Sequence, residues 1–425
     1  MVKNTPDIKE YEDQIYHCTR CGLCQSVCPV FDALKTELAV ARGKVALMQG
    51  YLANKLEYTP VLAKYMELCT GCNACKEACP SGISSDKIFL RAREISAEKY
   101  GLSLPKKAIV NAFRSESALS FFSTLLHFYT YSKADFITDM VPDSVPFINK
   151  IKLLNAQLNG KTTLKLNKIN IKQTKPAFKV IYFPGCINKY VNPSVAEATI
   201  ELLKNNNTDV IVPDDLYCCG MPALMSGARS VAESLAEKNL VILDKLLADD
   251  FDYILVDCGS CSYMLKFYQN LFENTPHLQD LAEKINHKII DLNQFLLQLD
   301  LNLPESKENI TVTYHDPCHL RRSQNIYKEP RELIKSIRGL QYVEMTGADT
   351  CCGAAGSFCM THMKLSNQIS EKKAENILLT GADIVLTSCP SCKIGLTQGL
   401  ISKHENKTTL HPVELIYRLI KQKKS

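Results

Sequence analysis

Two cysteine quartets constrain this chain more than any other feature of its sequence. Cys18, Cys21, Cys24 and Cys28 are followed by Pro29, and Cys69, Cys72, Cys75 and Cys79 are followed by Pro80. Both read C-x2-C-x2-C-x3-C-P. Three thiolates at this spacing on a tight loop converge on one centre, and the proline sets the direction of the helix that follows. The chain carries 19 Cys among 425 residues, an odd number that cannot all pair as disulfides. The segment Met1 to Tyr16 is polar and lacks the apolar core of a secretory signal. In a reducing compartment so many thiols read as metal ligands. Buried structural thiols are the bland alternative, and it fits poorly because almost every Cys falls into a spaced set.

The quartet spacing is that of bacterial ferredoxins, whose fourth Cys ligates the neighbouring cluster because it cannot comfortably reach its own. The expected [4Fe-4S] ligand sets are therefore Cys18, Cys21, Cys24 and Cys79 for one cluster, and Cys69, Cys72, Cys75 and Cys28 for the other. Zinc ribbons use pairs of Cys rather than this quartet. Between the quartets, apolar residues recur at helical spacing from Leu34 to Met48. Arg42 and Lys44 in that stretch either steady an anionic cluster or lie on a solvated face.

The net charge of +5 is spread along the chain, with no basic arm that would argue for nucleic acid. Apolar stretches such as Ala118 to Leu126 are too short to span a bilayer. The expected location is the cytoplasm, with any membrane attachment peripheral, through a partner or an amphipathic surface on the cytoplasmic side of the inner membrane. Residues 1–98 form the cluster-binding domain in this reading. Residues 99–175 contain no Cys and read as a helical connector, with helix expected around Ile109 to Tyr131 and interruptions at Pro142 and Pro146. The connector either packs on its neighbours or docks a partner.

The remainder is an internal repeat. The first copy holds Cys186, then Cys218-Cys219-Gly220, then Cys258 and Cys261; the second holds Cys318, then Cys351-Cys352-Gly353, then Cys389 and Cys392. Cys318 follows Cys186 by 132 residues, Cys351 follows Cys218 by 133, and Cys389 follows Cys258 by 131. Two homologous domains, 176–305 and 306–425, follow from so constant an offset. Short apolar runs, Val180 to Phe183, Tyr253 to Val256, Thr311 to Tyr314 and Ile384 to Leu386, alternate with amphipathic stretches at Val231 to Leu247 and Lys364 to Leu379. That grammar predicts parallel α/β sheets with the Cys beyond the strands' carboxyl ends. The fold class is thus multidomain: a helical ferredoxin-like domain followed by two repeated α/β domains.

Gly220 and Gly353 allow the unusual backbone a Cys-Cys turn needs. Cys261 and Cys392 fall at expected helix starts, where the dipole favours thiolate. The five Cys of each repeat suit a third and a fourth cluster; zinc or a disulfide in either repeat is the alternative. His315, His319, Arg321 and Arg322 flank Cys318 and either move protons or, the preferred reading, balance cluster charge. Cys359 stands outside both sets and is expected to be a buried thiol. Tyr217 and Met221 are expected to pack around the metal site.

These motifs together resemble the iron–sulfur subunit family of glycolate oxidase, to which the lactate-oxidation and anaerobic glycerol-3-phosphate dehydrogenase iron–sulfur subunits are similar. Ala41 to Val45, Cys79 to Gly82 and His411 to Leu415 look most like that branch. The Cys-Cys-Gly domains also resemble the catalytic subunits of heterodisulfide reductases, whose motifs hold non-cubane [4Fe-4S] clusters. The resemblance implies an electron-transfer subunit of a flavin-linked dehydrogenase for glycolate or D-lactate, with an FAD-binding partner subunit and the membrane quinone or another carrier as acceptor. No G-x-G-x-x-G after a strand and no P-loop is evident, so no FAD or NAD site is expected on this chain and no catalytic residue is assigned. Both repeats keep all five Cys, a departure toward the reductase type, so disulfide reduction at a non-cubane cluster stays open as an alternative. A zinc-stabilised binding module is disfavoured by the quartets.

Overall fold

The computed structural model describes residues 7–121, 124, 169–299, 301, 303 and 305–424. Of the connector, the described part includes the helix Leu104–Arg114, overlapping the expected helical stretch; Pro142, Pro146 and the rest of residues 125–168 lie outside the described residues.

The two quartets fold into the same loop. In each, the residues before and after the second Cys adopt positive φ: Arg20 (57°) and Gly22 (89°) around Cys21, Gly71 (68°) and Asn73 (60°) around Cys72. These left-handed residues reverse the chain and launch a one-turn helix carrying the third Cys, Leu23–Ser26 and Ala74–Glu77. Cys28 caps the helix Pro29–Leu34, its sulfur accepting from the Phe31 N–H, with Pro29 at the first helical position where no N–H is needed. The expected helix from Leu34 to Met48 is broken. Lys35 turns left-handed at φ 52° and closes Pro29–Leu34, and a new helix, Ala41–Leu52, starts from the extended Val40. Ile15, Met48, Met66, Ile88 and Phe89 form the small core beneath the quartets.

Two sheets follow. The first has the order β1-β3-β2-β4-β5, from Ile169–Ile171, Phe178–Phe183, Thr208–Val212, Tyr253–Val256 and Ile289–Asp291 as β1 to β5. The second has the order β7-β6-β8-β9, from Ile310–Tyr314, Leu340–Tyr342, Ile384–Leu386 and Thr408–Leu410 as β6 to β9. Every pairing is parallel except that of β1 with β3. The repeat is visible strand for strand, β2 to β5 matching β6 to β9. The first copy adds the helix Pro276–Asn286 between its last two strands, and β1, from the span 99–175, widens its sheet.

Parallel strands bury both faces. Ile181 and Phe183 of β2 enter one core, while Val180 and Tyr182 enter another. Both cores also take residues from the second sheet, Val385 in one and Val312, Tyr314 and Leu386 in the other, so the modules share their interior. The helix Arg229–Leu247 lays the stripe Ala232, Leu235, Ala236, Leu240 and Leu243 on the first sheet. Asn239 sits within that stripe, fully buried. Its amide accepts from the Tyr217 N–H (2.9 Å) and donates to the Cys218 carbonyl (3.2 Å), which fixes the Cys-Cys-Gly turn.

A buried ion pair closes the junction of the modules. Lys393 Nζ lies 2.9 Å from Glu414 Oε2, and Ser194 of the first module donates to Glu414 Oε1 at 2.6 Å. Among the described residues no helix is long and apolar enough to cross a membrane.

Two substitutions test this packing. Lys393→Met strands the Glu414 carboxylate and is expected to destabilise the chain by about 3–5 kcal/mol, read from chemical unfolding. Burial pushes the Glu414 carboxyl up, but Lys393 and the hydrogen bonds from His411 N–H and Ser194 outweigh it and hold the group below its ordinary value. The pair's contribution is therefore complete above the unfolded value of about 4.3 and fades as pH falls through the lower folded value. Asn239→Leu leaves the Tyr217 N–H and Cys218 carbonyl unpaired and is expected to cost about 1–3 kcal/mol in the same measurement.

Candidate metal centres

The quartets line two adjacent cavities. One, of about 430 Å³, is bordered by Cys18, Cys21, Cys24 and Cys79. The other, of about 780 Å³, is bordered by Cys28, Cys69, Cys72 and Cys75. Cys28 has thus left its own trio for the second, and Cys79 has crossed the other way. Cys75 also borders the smaller cavity. A soft, four-thiolate donor set around a cavity fits an iron–sulfur cluster.

Cations gather at the larger cavity. Lys44 is buried and donates to the Leu68 carbonyl at 2.5 Å. Arg93 donates to the Cys69 carbonyl (2.5 Å) and to the Met225 carbonyl (3.1 Å). Burial pushes the Cys69 thiol up, but Lys44, Arg93 and the Gly71 N–H outweigh it, so the thiol falls below its ordinary range. Cys28 is pushed up to about 11 by burial, against the Phe31 N–H and Lys44. Arg42 faces the smaller cavity and pairs with Glu37 at 2.5 Å.

In each α/β module the Cys follow the carboxyl ends of three strands, where parallel sheets leave a crevice. Cys186, Cys218, Cys219 and Cys258 follow β2, β3 and β4, and Cys261 lies in the first turn of the helix Gly259–Leu271. All five are buried, and their thiols touch in a chain: Cys186 to Cys218, Cys218 to Cys219, Cys219 to Cys261, Cys261 to Cys258. The second module repeats this with Cys351 to Cys352, Cys352 to Cys392 and Cys392 to Cys389, and Cys318 facing Cys351. Gly220 and Gly353 take φ of 93° and 84°, as a Cys-Cys turn demands.

The modules differ in what surrounds the thiols. The first places Asn239 behind its turn. The second places Lys373 there, 2% exposed and donating to the Gly347 (2.6 Å) and Ala348 (3.0 Å) carbonyls. Burial pushes Lys373 down to about 8.

The Cys sets are contiguous in space, in an order the chain does not follow. Cys72 of the second quartet touches Cys351 of the second module. Cys389 of that module touches Cys258 of the first, and Ser260 Oγ lies 3.5 Å from Cys389 Sγ. His319 joins all three parts, one ring nitrogen 3.1 Å from Ser260 Oγ and the other 3.3 Å from the Gly71 carbonyl. Arg322 ties Asp349 (2.9 Å) to Glu77 (2.8 Å) across the same junction, and Arg321 lies 3.5 Å from Asp316. Arg321 and Arg322 pair with carboxylates, and His319 bridges the three parts through neutral groups. Cys359 departs from expectation. It is half-buried on a short surface helix, its thiol donating to the Gly356 carbonyl. Met221 is buried in the core beside the first set, and Tyr217 borders a cleft that reaches Cys186 and Cys218.

The sequence reading missed Arg93, Asn239 and Lys373. Arg93 left no signal. Asn239 did, as a polar residue in an otherwise apolar helical stripe, and Lys373 did, as the one charged residue on the buried face of its helix.

Comparison with known proteins agrees with this arrangement. A 4Fe-4S dicluster domain matches residues 14–83, and a cysteine-rich domain matches twice, at 180–266 and 312–397. The chain is 27% identical over 408 residues to a probable glycolate oxidase iron–sulfur subunit of Bacillus subtilis, covering 92% of this chain and 90% of that protein. Lactate utilization protein A of the same organism is 29% identical over 56% of this chain and 98% of its own length. A fumarate reductase (CoM/CoB) subunit of Methanothermobacter marburgensis is 32% identical over 53% of this chain and 43% of its own length. The chain thus carries a 4Fe-4S dicluster domain followed by two cysteine-rich domains, and along nearly its whole length it is similar to a glycolate oxidase iron–sulfur subunit.

Proposed function

We propose that this chain is the electron-relay subunit of a flavin-linked dehydrogenase for a 2-hydroxy acid, glycolate or D-lactate. An FAD-bearing partner oxidises the acid, and electrons leave toward the quinone pool at the cytoplasmic face of the inner membrane. The observation that carries the reading is the unbroken run of cysteine sets, with Cys72 against Cys351 and Cys389 against Cys258. A relay needs donor and acceptor centres in close succession, and this run supplies it.

In this reading Cys18, Cys21, Cys24 and Cys79 hold one [4Fe-4S] cluster and Cys69, Cys72, Cys75 and Cys28 the next. Each α/β module holds a further non-cubane cluster on its five Cys, and the relay visits the second module before the first. Clusters at these sites supply one-electron chemistry. The protein's part is to keep water away from the buried thiols and to set the local charge. Lys44 and Arg93 beside Cys69 favour the more negative, reduced state there. The chain alone is not expected to turn over a 2-hydroxy acid.

Disulfide reduction at the modules is the second reading. It is favoured by both modules retaining all five Cys, the feature in which they resemble the catalytic subunits of heterodisulfide reductases.

Anaerobic affinity purification from the native cell tests the choice, with dye reduction assayed on glycolate, D- and L-lactate and glycerol 3-phosphate. Co-purification of a flavoprotein that reduces dye with glycolate or D-lactate is the expected outcome. A brown protein without flavoprotein or substrate response sinks the relay reading and leaves disulfide reduction. Turnover with glycerol 3-phosphate reassigns the substrate. Lys44→Met is expected to lower the reduction potential of one cluster only, followed by EPR-monitored redox titration, because it removes a buried positive charge from beside Cys69.

A further inference from the structure

The two modules share a plan but differ at the residue three positions before their first Cys. The first has Phe183 and the second has His315. His315 ends the pairing of β6 with β8, its backbone N–H donating to the Leu386 carbonyl at 2.8 Å. It is 1% exposed, and neither ring nitrogen has a hydrogen-bond partner. The nearby Ala348 carbonyl already accepts from the Asp316 N–H (3.0 Å) and from Lys373 Nζ (3.0 Å). A ring nitrogen of His315 and the Sγ atoms of Cys352 and Cys392 all lie within 4.8 Å of one another.

An imidazole buried without a partner is costly, and native proteins rarely leave one so. Besides the Ala348 carbonyl, which two other donors already occupy, its available partners are the two cysteines and whatever they hold. Donors with bonds of about 2.0–2.3 Å around a single metal fall inside the observed spacing. Imidazole is a good ligand for iron. Phe183 places a phenyl ring at the matching point of the first module, where no donor exists.

We propose that His315 is a nitrogen ligand of the second module's metal centre, so that the two modules hold chemically different centres. This rests on the reading that each module holds an iron–sulfur cluster. The second centre then has a thiolate–imidazole donor set of Cys318, Cys351, Cys352, Cys389, Cys392 and His315, and the first an all-thiolate one. The two centres then carry the same five thiolates and differ by one neutral nitrogen donor, and the second is the one that touches the quartets through Cys72.

The test is nitrogen ENDOR on the full-length protein, purified anaerobically with its partners from cells fed ¹⁵N-histidine. Cys352→Ser first identifies the EPR signal of the second module as the one it abolishes. That signal is expected to show a directly bonded ¹⁵N coupling. The coupling should vanish in His315→Phe, which copies the first module, while the signals of the quartets persist. His315→Cys offers a thiolate to the same metal, keeps the centre, and should lower its midpoint potential with no nitrogen coupling. It keeps the test open if the phenylalanine variant does not fold. A second-module signal without strong ¹⁵N coupling, or with a coupling that survives both variants, overturns the inference and leaves the cluster reading standing. Loss of one zinc per chain with His315, at constant iron, also overturns it. If Cys352→Ser removes no signal at all, the cluster reading of the module fails, and the inference fails with it.

Discussion

Where the two α/β modules meet, Cys389 touches Cys258, Ser260 reaches the Cys389 sulfur, and the Gly259 N–H bonds the Ser388 carbonyl at 3.0 Å. The rest of the molecule is arranged around that meeting of loops. Each strand that carries a Cys is parallel to its neighbours, so the cysteine-bearing loops of a module leave the same edge of its sheet. When the modules dock, those edges face one another and both five-cysteine sets come together. Lys393 and Glu414 hold the junction from beneath with a buried ion pair, and cores that draw on both sheets make it rigid.

The N-terminal domain enters this junction as a third party. Asn73 bonds Ser323 (3.1 Å), His319 bonds the Gly71 carbonyl, and Arg322 bonds Glu77, all within the loop that carries the second quartet. The result is that Cys72 abuts Cys351. Cys351 and burial push the Cys72 thiol up, and Cys352 and burial push up that of Cys351. The thiolate-favouring influences, Lys44, Arg93 and the backbone N–H groups of the loops, are placed where negative charge must be held. The same low dielectric makes a nearby cation or imidazole an effective means of setting potentials.

Much of this was legible from spacing. The crossing of Cys28 and Cys79 follows from the reach of a three-residue loop, and the cavities are lined accordingly. The repeat offset revealed paired domains, and four apolar runs before cysteines marked β2, β4, β6 and β8. The strands β3, β5, β7 and β9 went unread: Thr208–Val212 lacks a cysteine immediately beyond it, and the others are three residues long, too short to display a period. The break at Lys35 was hidden because the apolar residues on either side keep helical spacing, while the turn is decided by a single left-handed residue.

Residue type and spacing mark the candidate chemistry: which cysteines fall into spaced sets, that the sets number four, and that the last two are copies. Those properties are local, and the linear chain carries them whole. The order of the sets in space, with the second module lying between the quartets and the first, comes instead from the docking of the three domains. So does the choice of polar side chains that face the thiols. Arg93 reaches the Cys69 carbonyl, and Lys44 the Leu68 carbonyl beside it, through packing between segments 24 residues apart, and no local pattern encodes that meeting.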